Sequence, residues 1–340
     1  MQEMLRLVPV HNINLVVIKS NNKNIILGGQ KMADYVILTD SSTDLTKDLR
    51  ERFGITDYLP GNITFPDGHT EDSSLDWETI SPQDFYTSMS KDSMYSTGVK
   101  NIEIQKAFFE KYLKEGKDIL NISLSSALSN TYDNCRKVAA DLMKEYPERK
   151  IIVVDSLRYA GADGLLCSIA GDMKKEGKSL DEVAAWLENN KQRCHQTGTV
   201  DDLKFLAKVG RVSNVSAVMG SLINIKPIAE FNRAGMNQVI TKVTGYKKLF
   251  AAMIMYMKAT IEDEPKRIFV THSFRKAQWL QVQELVRENF PTAEIIPTTV
   301  NMANGSSIGP GMVTVFYMGK EISEGLVEET KLLEEIKSKV

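Results

Sequence analysis

Short continuous apolar runs recur along the chain, each closed by a polar cluster and followed by a segment whose apolar residues return every three or four positions. From Tyr35 the run YVILTD ends on Asp40-Ser41-Ser42-Thr43, after which Leu45, Leu49 and Phe53 fall on one helical face. The same order returns at ILNIS (residues 119–123), which precedes Ser125 to Tyr132 and a helix through Tyr146. It returns again at IIVVD (residues 151–155), with Ser156 and then a helix over about 161–176 that Gly177 is placed to stop. Apolar strands alternating with helices predict a parallel sheet covered on both faces. Ligands of such sheets sit beyond the carboxyl ends of the strands, where these Asp and Ser clusters fall.

After a helix over about 180–194 the pattern changes. Gly198 to Asp202 leads into a short helix and then Gly210-Arg211-Val212-Ser213. Residues 215–225 are strongly apolar with small side chains and predict a helix, and residues 225–231 and 238–244 predict strands around a turn at 232–235. A helix from Gly245, a strand at 267–271, a helix through Asn289 and strands at 294–298 and 312–317 follow. The expected fold class is α/β in two domains. A parallel-sheet α/β/α domain spans 33–192 and a mixed-sheet α/β domain spans 193–323, with a helical tail at 324–340. Residues 1–32 read as an extension outside this pattern. In one reading Met32 is the true start and Gly28-Gly29 translates a purine-rich ribosome-binding site; in the other the segment is a real extra strand or arm.

Composition narrows the class. The chain has 340 residues, about two domains' worth. Its apolar share of 42% and charged share of 25% suit a globular protein rather than a disordered one. The net charge of −2 lacks the basic excess of a general nucleic-acid binder, and no run approaches the roughly eighteen apolar residues of a membrane span. Cys135, Cys167 and Cys194 are widely spaced without a CxxC pair, so reduced cytoplasmic thiols and no metal site are expected.

Familiar catalytic and nucleotide-binding motifs are missing. There is no GxxxxGK[ST] loop and no GxGxxG after a strand. Gly305-Ser306-Ser307-Ile308-Gly309 matches GxSxG formally, but that elbow needs a strand before it, a helix after it and a histidine downstream, and no histidine follows. His272 at the end of IFVTH is a conceivable base or a structural residue. What stands out is a concentration of loop hydroxyls: Ser41, Ser42, Thr43, Ser96, Thr97, Ser125, Ser126, Ser129, Thr131 and Ser156. Two readings stay open. The hydroxyls cap the following helices, or two or three converge on a carboxylate or phosphate.

Several motifs, taken together and in order, resemble the DegV family of bacterial fatty-acid-binding proteins. VILTDSSTDL is similar to its opening strand and DS(S/T) turn, and Ser125 to Tyr132 (SSALSNTY) to its SSGLSGTY. Asp155-Ser156 resembles its VDS strand end. Val200-Asp201-Asp202-Leu203, Gly210-Arg211-Val212-Ser213 and Ile225-Lys226-Pro227-Ile228 resemble VDDL, GRIS and IKPI, and Gly309-Pro310-Gly311 matches GPG. The resemblance covers about residues 33–322.

It implies a carrier that is not itself a catalyst, needs no cofactor, and buries one long-chain fatty acid such as palmitate between two α/β domains. The carboxylate would be held by Ser96 or Thr97 and by Ser126, with Ser125 beside it and Ser307, Gly309, Asp40 and Ser41 near the headgroup. The acyl tail would run along Val218, Leu222 and Ile225. Arg211 would dock a separate fatty acid kinase of the dihydroxyacetone-kinase type, in lipid transport or phospholipid metabolism; Lys204 and Lys208 beside it make a small basic patch. Two departures matter. The family's TSQP loop reads Ser96-Thr97-Gly98-Val99 and loses its proline, and a histidine common before GPG is replaced at Ser307. The rival readings are a serine hydrolase or acyl transferase using Ser126 or Ser307 with His272, and a small anionic-metabolite binder with a polar cleft and no apolar tunnel.

Overall fold

The structure is a computed structural model that describes residues 34–89, 95–214 and 224–340, together with the backbone of three strands before them. The chain divides into two compact units, Met1–Tyr35 and Val36–Val340. In the first, β1 (Leu7–Val10), β2 (Ile13–Ser20) and β3 (Lys23–Leu27) form an antiparallel meander, with Leu7 opposite Val16 and Val16 opposite Leu27.

In the second unit, β4 (Tyr35–Asp40), α1 (Lys47–Phe53) and β5 (Asp57–Leu59) lead into a small sheet. That sheet comprises β6 (Asn62–Thr64), β7 (Thr70–Asp72) and, after α2 (Pro82–Ser88), β8 (Ser96–Gly98). Next come α3 (Ile102–Lys114), β9 (Asp118–Ser123), α4 (Thr131–Glu145), β10 (Ile151–Asp155), α5 (Ala160–Lys175) and α6 (Leu180–Asn190). The first large sheet has the order β10-β9-β4-β5, with β10 parallel to β9 and β4 parallel to β5. Helices α3 and α4 cover one face, packing Phe109, Leu113, Val138 and Leu142 onto Val36, Leu38 and Ile119. The other face meets α5 and α6. Every residue of β4 and β9 is therefore buried, as strands covered on both faces require.

The remaining elements are β11 (Cys194–Thr199), α7 (Lys204–Lys208), β12 (Val212–Ser213), β13 (Ile225–Phe231), β14 (Asn237–Thr244) and α8 (Gly245–Thr260). They are followed by β15 (Arg267–His272), α9 (Lys276–Asn289), β16 (Glu294–Thr299), α10 (Met302–Ile308), β17 (Val313–Met318) and α11 (Val327–Lys337). The second large sheet runs β11-β17-β15-β16 and is mixed: β15 and β16 are parallel, while β17 is antiparallel to both of its neighbours. A third, small sheet runs β12-β14-β13. The expected α/β class, with one parallel and one mixed sheet, is what the chain builds.

Helix α5 touches both large sheets and so fixes their spacing. Its glycines allow the contact. A Cβ at Gly161 would lie 2.7 Å from Phe316 and from the Thr271 hydroxyl, and one at Gly171 would lie 1.7 Å from the Phe53 carbonyl oxygen.

Two local expectations fail for physical reasons. The helix predicted over 180–194 stops at Asn190, and Cys194 begins β11, a strand that CHQTGT does not advertise because it lacks a β-branched run. All six of its residues are buried, so tertiary partners rather than propensity hold it. The GxSxG segment forms α10 rather than a strand-to-helix elbow, because Asn301 caps it by accepting from the Asn304 amide at 3.0 Å. The helix predicted over 215–225 lies outside the described residues except at its end, where Ile225 opens β13.

Candidate functional site

At the carboxyl ends of β4 and β9 the chain folds a chamber of about 200 Å³ whose wall mixes polar and apolar side chains. Asp40, Ser41 and Ser42 form one side, Asn62 and Thr97 come from the small sheet, and Ser129, Asn130 and Thr131 lie at the start of α4. Asn304 and Ser307 reach it from α10, and Arg211 and Asn237 from the second half of the chain. Beside it lies a narrow recess of about 30 Å³, largely apolar, walled by Val200, Leu203, Val212, Pro227, Ala229 and Met312 among others. The two share Tyr159, Leu206, Asn237 and Ile308 as a neck.

The loop after β4 owes its shape to Asp40. Its carboxylate accepts the Ser42 and Leu124 amides, each at 2.9 Å, and so ties two strand ends together. Ser41 Oγ accepts the Gly61 amide at 2.9 Å, and Ser42 Oγ donates to Asp163 at 3.0 Å. Burial pushes the Asp40 carboxyl up from its ordinary range. It pushes Asp163 well up, with the neighbouring Asp40 charge adding to the effect. These hydroxyls stitch loops to one another; α1 and α4 begin without a side-chain cap bond.

Of the carboxylate-binding residues expected from the sequence, Thr97 lines the chamber, and Ser96, Ser125 and Ser126 do not. Strand alternation explains the first pair: Thr97 opposes Ile63 in β8, and its neighbour Ser96 points to the other face. Ser125 is fully buried and spends its hydroxyl on the Gly235 carbonyl at 2.9 Å, while Ser126 is solvent-exposed. A tight turn, in which Leu128 and Ser129 amides both return to the Ser125 carbonyl, carries Ser129 to the chamber instead. Ser129 Oγ lies 2.9 Å from Thr131 Oγ1.

Asp40, Ser41 and Ser307, expected near a headgroup, are on the wall. Gly309 is not; it packs on Phe205, where a Cβ would approach to 2.5 Å. Among the expected tail residues, Ile225 lines neither cavity, and Val218 and Leu222 lie outside the described residues. Arg211 is exposed yet lines the chamber, held by donation from Nε to the Leu128 carbonyl at 3.1 Å and from Nη1 to Val209.

Sequence reasoning passed over Asn62, Lys100, Asn130, Asn237 and Asn304. Lys100 is buried at the chamber edge and pairs with Asp72. The three-residue strand that carries Asn62 has no readable period, and Lys100 lies in the loop after β8, so neither gave a signal. The usable one was the Asn301–Asn304 spacing, which marks a helix start.

That start is latched to the β4 loop. Asn301 donates from its amide and its side chain to Asp44 Oδ1 at 3.0 and 2.9 Å, and Asn304 donates to the Ser42 carbonyl. Burial pushes the Asp44 carboxyl up to about 7, against the two Asn301 bonds. A carboxyl raised above its unfolded value of about 4 makes the folded state the better proton binder between the two values. Asp44 therefore costs stability progressively as pH rises from about 4 to 7, and the cost is level above. Asp44→Asn is expected to flatten that part of the profile relative to wild type in thermal unfolding; parallel profiles would show that Asp44 does not titrate there.

Among the described residues no histidine or cysteine lines the chamber, and no group of three metal-ligating side chains is assembled. His272 accepts the Arg275 amide at Nδ1, at 3.1 Å, and packs at a 47° tilt against Trp279 with centroids 4.7 Å apart. Burial lowers its pKa to about 4. It is a neutral ring that closes β15, with Nδ1 already occupied as an acceptor. No helix is long and apolar enough to cross a membrane among the described residues.

Two large sheets joined through a central helix, with a hydroxyl- and amide-lined chamber beside an apolar recess, define an α/β protein built around a cavity of two polarities. The family profile described as "Uncharacterised protein, DegV family" matches residues 34–320, and the chain belongs to the DegV family. A DegV domain-containing protein of Clostridium perfringens is 34% identical over 289 residues, covering 85% of this chain and 98% of its own. A DegV lipid binding protein from Thermotoga maritima has a similar structure, with a TM-score of 0.73 at 26% identity over 85% of this chain and 99% of its own. A DegV family protein from Thermus thermophilus, described by its fatty acid binding, gives 0.74 at 25% identity over 84% and 99%.

Proposed function

We propose that the chain holds one long-chain fatty acid, its carboxyl in the chamber and its tail entering the recess past the Tyr159–Asn237 neck, and that it carries the acid without transforming it. The observation that carries this reading is the shared neck between a cavity rich in hydroxyls and amides and an apolar one. A small anionic metabolite has no use for the recess. A serine hydrolase would need a base at Ser307, and the His272 ring is engaged elsewhere. A sixteen-carbon acid carries about fourteen methylenes, each contributing roughly 0.8 kcal/mol on burial. Complete burial would give a gross term of about 11 kcal/mol, of which the recess, at about 30 Å³ beyond the neck, accounts for only the first few methylenes.

Thr97, Ser129 and Ser307 supply hydroxyl donors to the headgroup, and Arg211 supplies positive charge where the sequence pattern loses its histidine. Because Arg211 is also exposed and flanked by the exposed Lys204 and Lys208, it offers a basic rim beside the carboxyl. That rim suits presentation of the acid to a separate kinase of the dihydroxyacetone-kinase type.

Native mass spectrometry with extraction of the released lipid tests the reading. One stoichiometric fatty acid is the expected result, and a protein that stays empty when offered such acids overturns it. Thr97→Ala combined with Ser129→Ala is expected to weaken binding by about ten- to a hundredfold in calorimetry, the size of two ordinary net hydrogen bonds. Ser126→Ala is expected to leave binding unchanged; a loss there would return the headgroup to Ser126.

A further inference from the structure

At the edge of the chamber two buried carboxyls meet on one residue. Ser42 donates its amide to Asp40 at 2.9 Å and its hydroxyl to Asp163 at 3.0 Å, which bridges the end of β4 to the first turn of α5. Asp40 lines the chamber and Asp163 does not. Both are buried, Asp163 completely, and Asp163 Oδ1 has no hydrogen-bond partner.

The surroundings offer the pair no compensating charge. The titratable groups facing it are the Asp155 carboxyl at the end of β10 and the thiols of Cys135 on α4, Cys167 on α5 and Cys194 on β11. Burial pushes all three thiols up, so they stay neutral. The cations nearby are committed elsewhere. Arg158 donates to the Cys194 and Leu157 carbonyls and lies over the Phe231 ring, and Lys191 donates to the Asp155 carbonyl. Lys100 pairs with Asp72, and Arg211 donates to the Leu128 and Val209 carbonyls. Two carboxyls that share one hydroxyl, out of water and without a cation, hold a proton between them.

An anionic headgroup adds a further negative charge beside this pair. Asp40 is the one acid on the chamber wall among the described residues, and no histidine there answers it. Like charges brought together in a dry site raise the proton affinity of the acids, and a proton drawn from solvent relieves the repulsion.

We propose that the headgroup binds together with a proton from solvent, which the Asp40–Asp163 pair takes up while the ligand stays ionised. Proton uptake on binding makes affinity fall as pH rises, so a lower pH loads the chain and a higher pH releases its ligand. The inference rests on the fatty-acid reading above and deepens it by naming how that site is regulated.

The test is calorimetric titration of the full chain with dodecanoic acid, isotope-labelled at its carboxyl carbon. Buffers of different ionisation enthalpy between about pH 6 and 8, where the free acid is ionised, count the protons exchanged per ligand bound. An uptake of about half to one proton is expected, with affinity falling about three- to tenfold per pH unit. The carbon resonance of the bound carboxyl should show it ionised. Asp163→Asn keeps an acceptor for the Ser42 hydroxyl and leaves the chamber wall unaltered, so it should bring the uptake close to zero and flatten the pH dependence. Binding without proton exchange overturns the proposal and leaves fatty-acid binding intact. An uptake that persists in Asp163→Asn overturns it equally, as does a bound ligand whose own carboxyl carries the proton. Should no acid bind at all, the fatty-acid reading falls and this inference with it. If the asparagine variant fails to fold, the wild-type proton count with an ionised ligand still decides, because no other group on the described wall can take up a proton in that range.

Discussion

Glu230→Ala is expected to lower the stability of the protein by about 3–5 kcal/mol, read as a fall of about 4–7 °C in Tm, because it strips a buried carboxylate from four donors at once. Glu230 sits on β13 with no solvent exposure. One carboxylate oxygen accepts the Gln196 and Phe231 amides, each at 2.8 Å. The other lies 2.7 Å from His195 Nδ1 and accepts the Tyr256 hydroxyl at 3.1 Å. On its far side the imidazole places Nε2 2.7 Å from the Lys320 carbonyl, so both ring nitrogens face oxygens. Loss of the carboxylate leaves four buried donors without an acceptor, and none can turn to water. Glu230→Gln preserves the volume and one acceptor oxygen, so a smaller loss is expected. A change below about 1 kcal/mol for the alanine variant would show that the network relaxes or admits solvent. The consequence reaches the cavity, because Gln196 and Thr199 on β11 and Pro227 and Ala229 on β13 are walls of the recess that this side chain pins together.

The same network shows why β11 was hidden in the sequence. CHQTGT has the composition of a loop, and only partners more than thirty residues away make it a strand. The strands YVILTD and ILNIS were legible because they are buried on both faces by their own helices, so local pattern and tertiary environment agree, and IIVVD at the sheet edge still shows a continuous β-branched run. At the site, legibility followed the same division. Asp40, Ser41, Thr97 and Ser307 could be placed because each ends an element or belongs to a recognisable motif. Ser126 was favoured over Ser129 by position in SSALSNTY, and the turn that returns two amides to the Ser125 carbonyl is not encoded in residue type. Asn62 lies on a strand too short to show a period, and Lys100 lies in the loop after β8. The recess was invisible because its walls come from β11, α7, β13 and β17, which no single stretch of sequence brings together.

Ala229→Phe is expected to weaken binding of a sixteen-carbon saturated acid by about a hundredfold or more while leaving the fold in place. On β13 the side chains of Ile228 and Glu230 are buried in the core, and Ala229, half-buried between them, faces the recess. A phenyl ring there enters space that the tail would use and leaves the neighbouring core side chains where they are. Displacing about four methylenes at roughly 0.8 kcal/mol each removes about 3 kcal/mol, which is a factor of about 150 in Kd. The hydroxyls and amides of the chamber are untouched by the change, so a short anion bound there should keep its affinity. Competition calorimetry with the long acid, with Tm measured alongside, separates the outcomes. A large loss for the long acid at nearly unchanged Tm places the tail in the recess. Affinity within threefold of wild type in a folded variant would mean that the tail takes another route, and the chamber would then have to be read without the recess beside it.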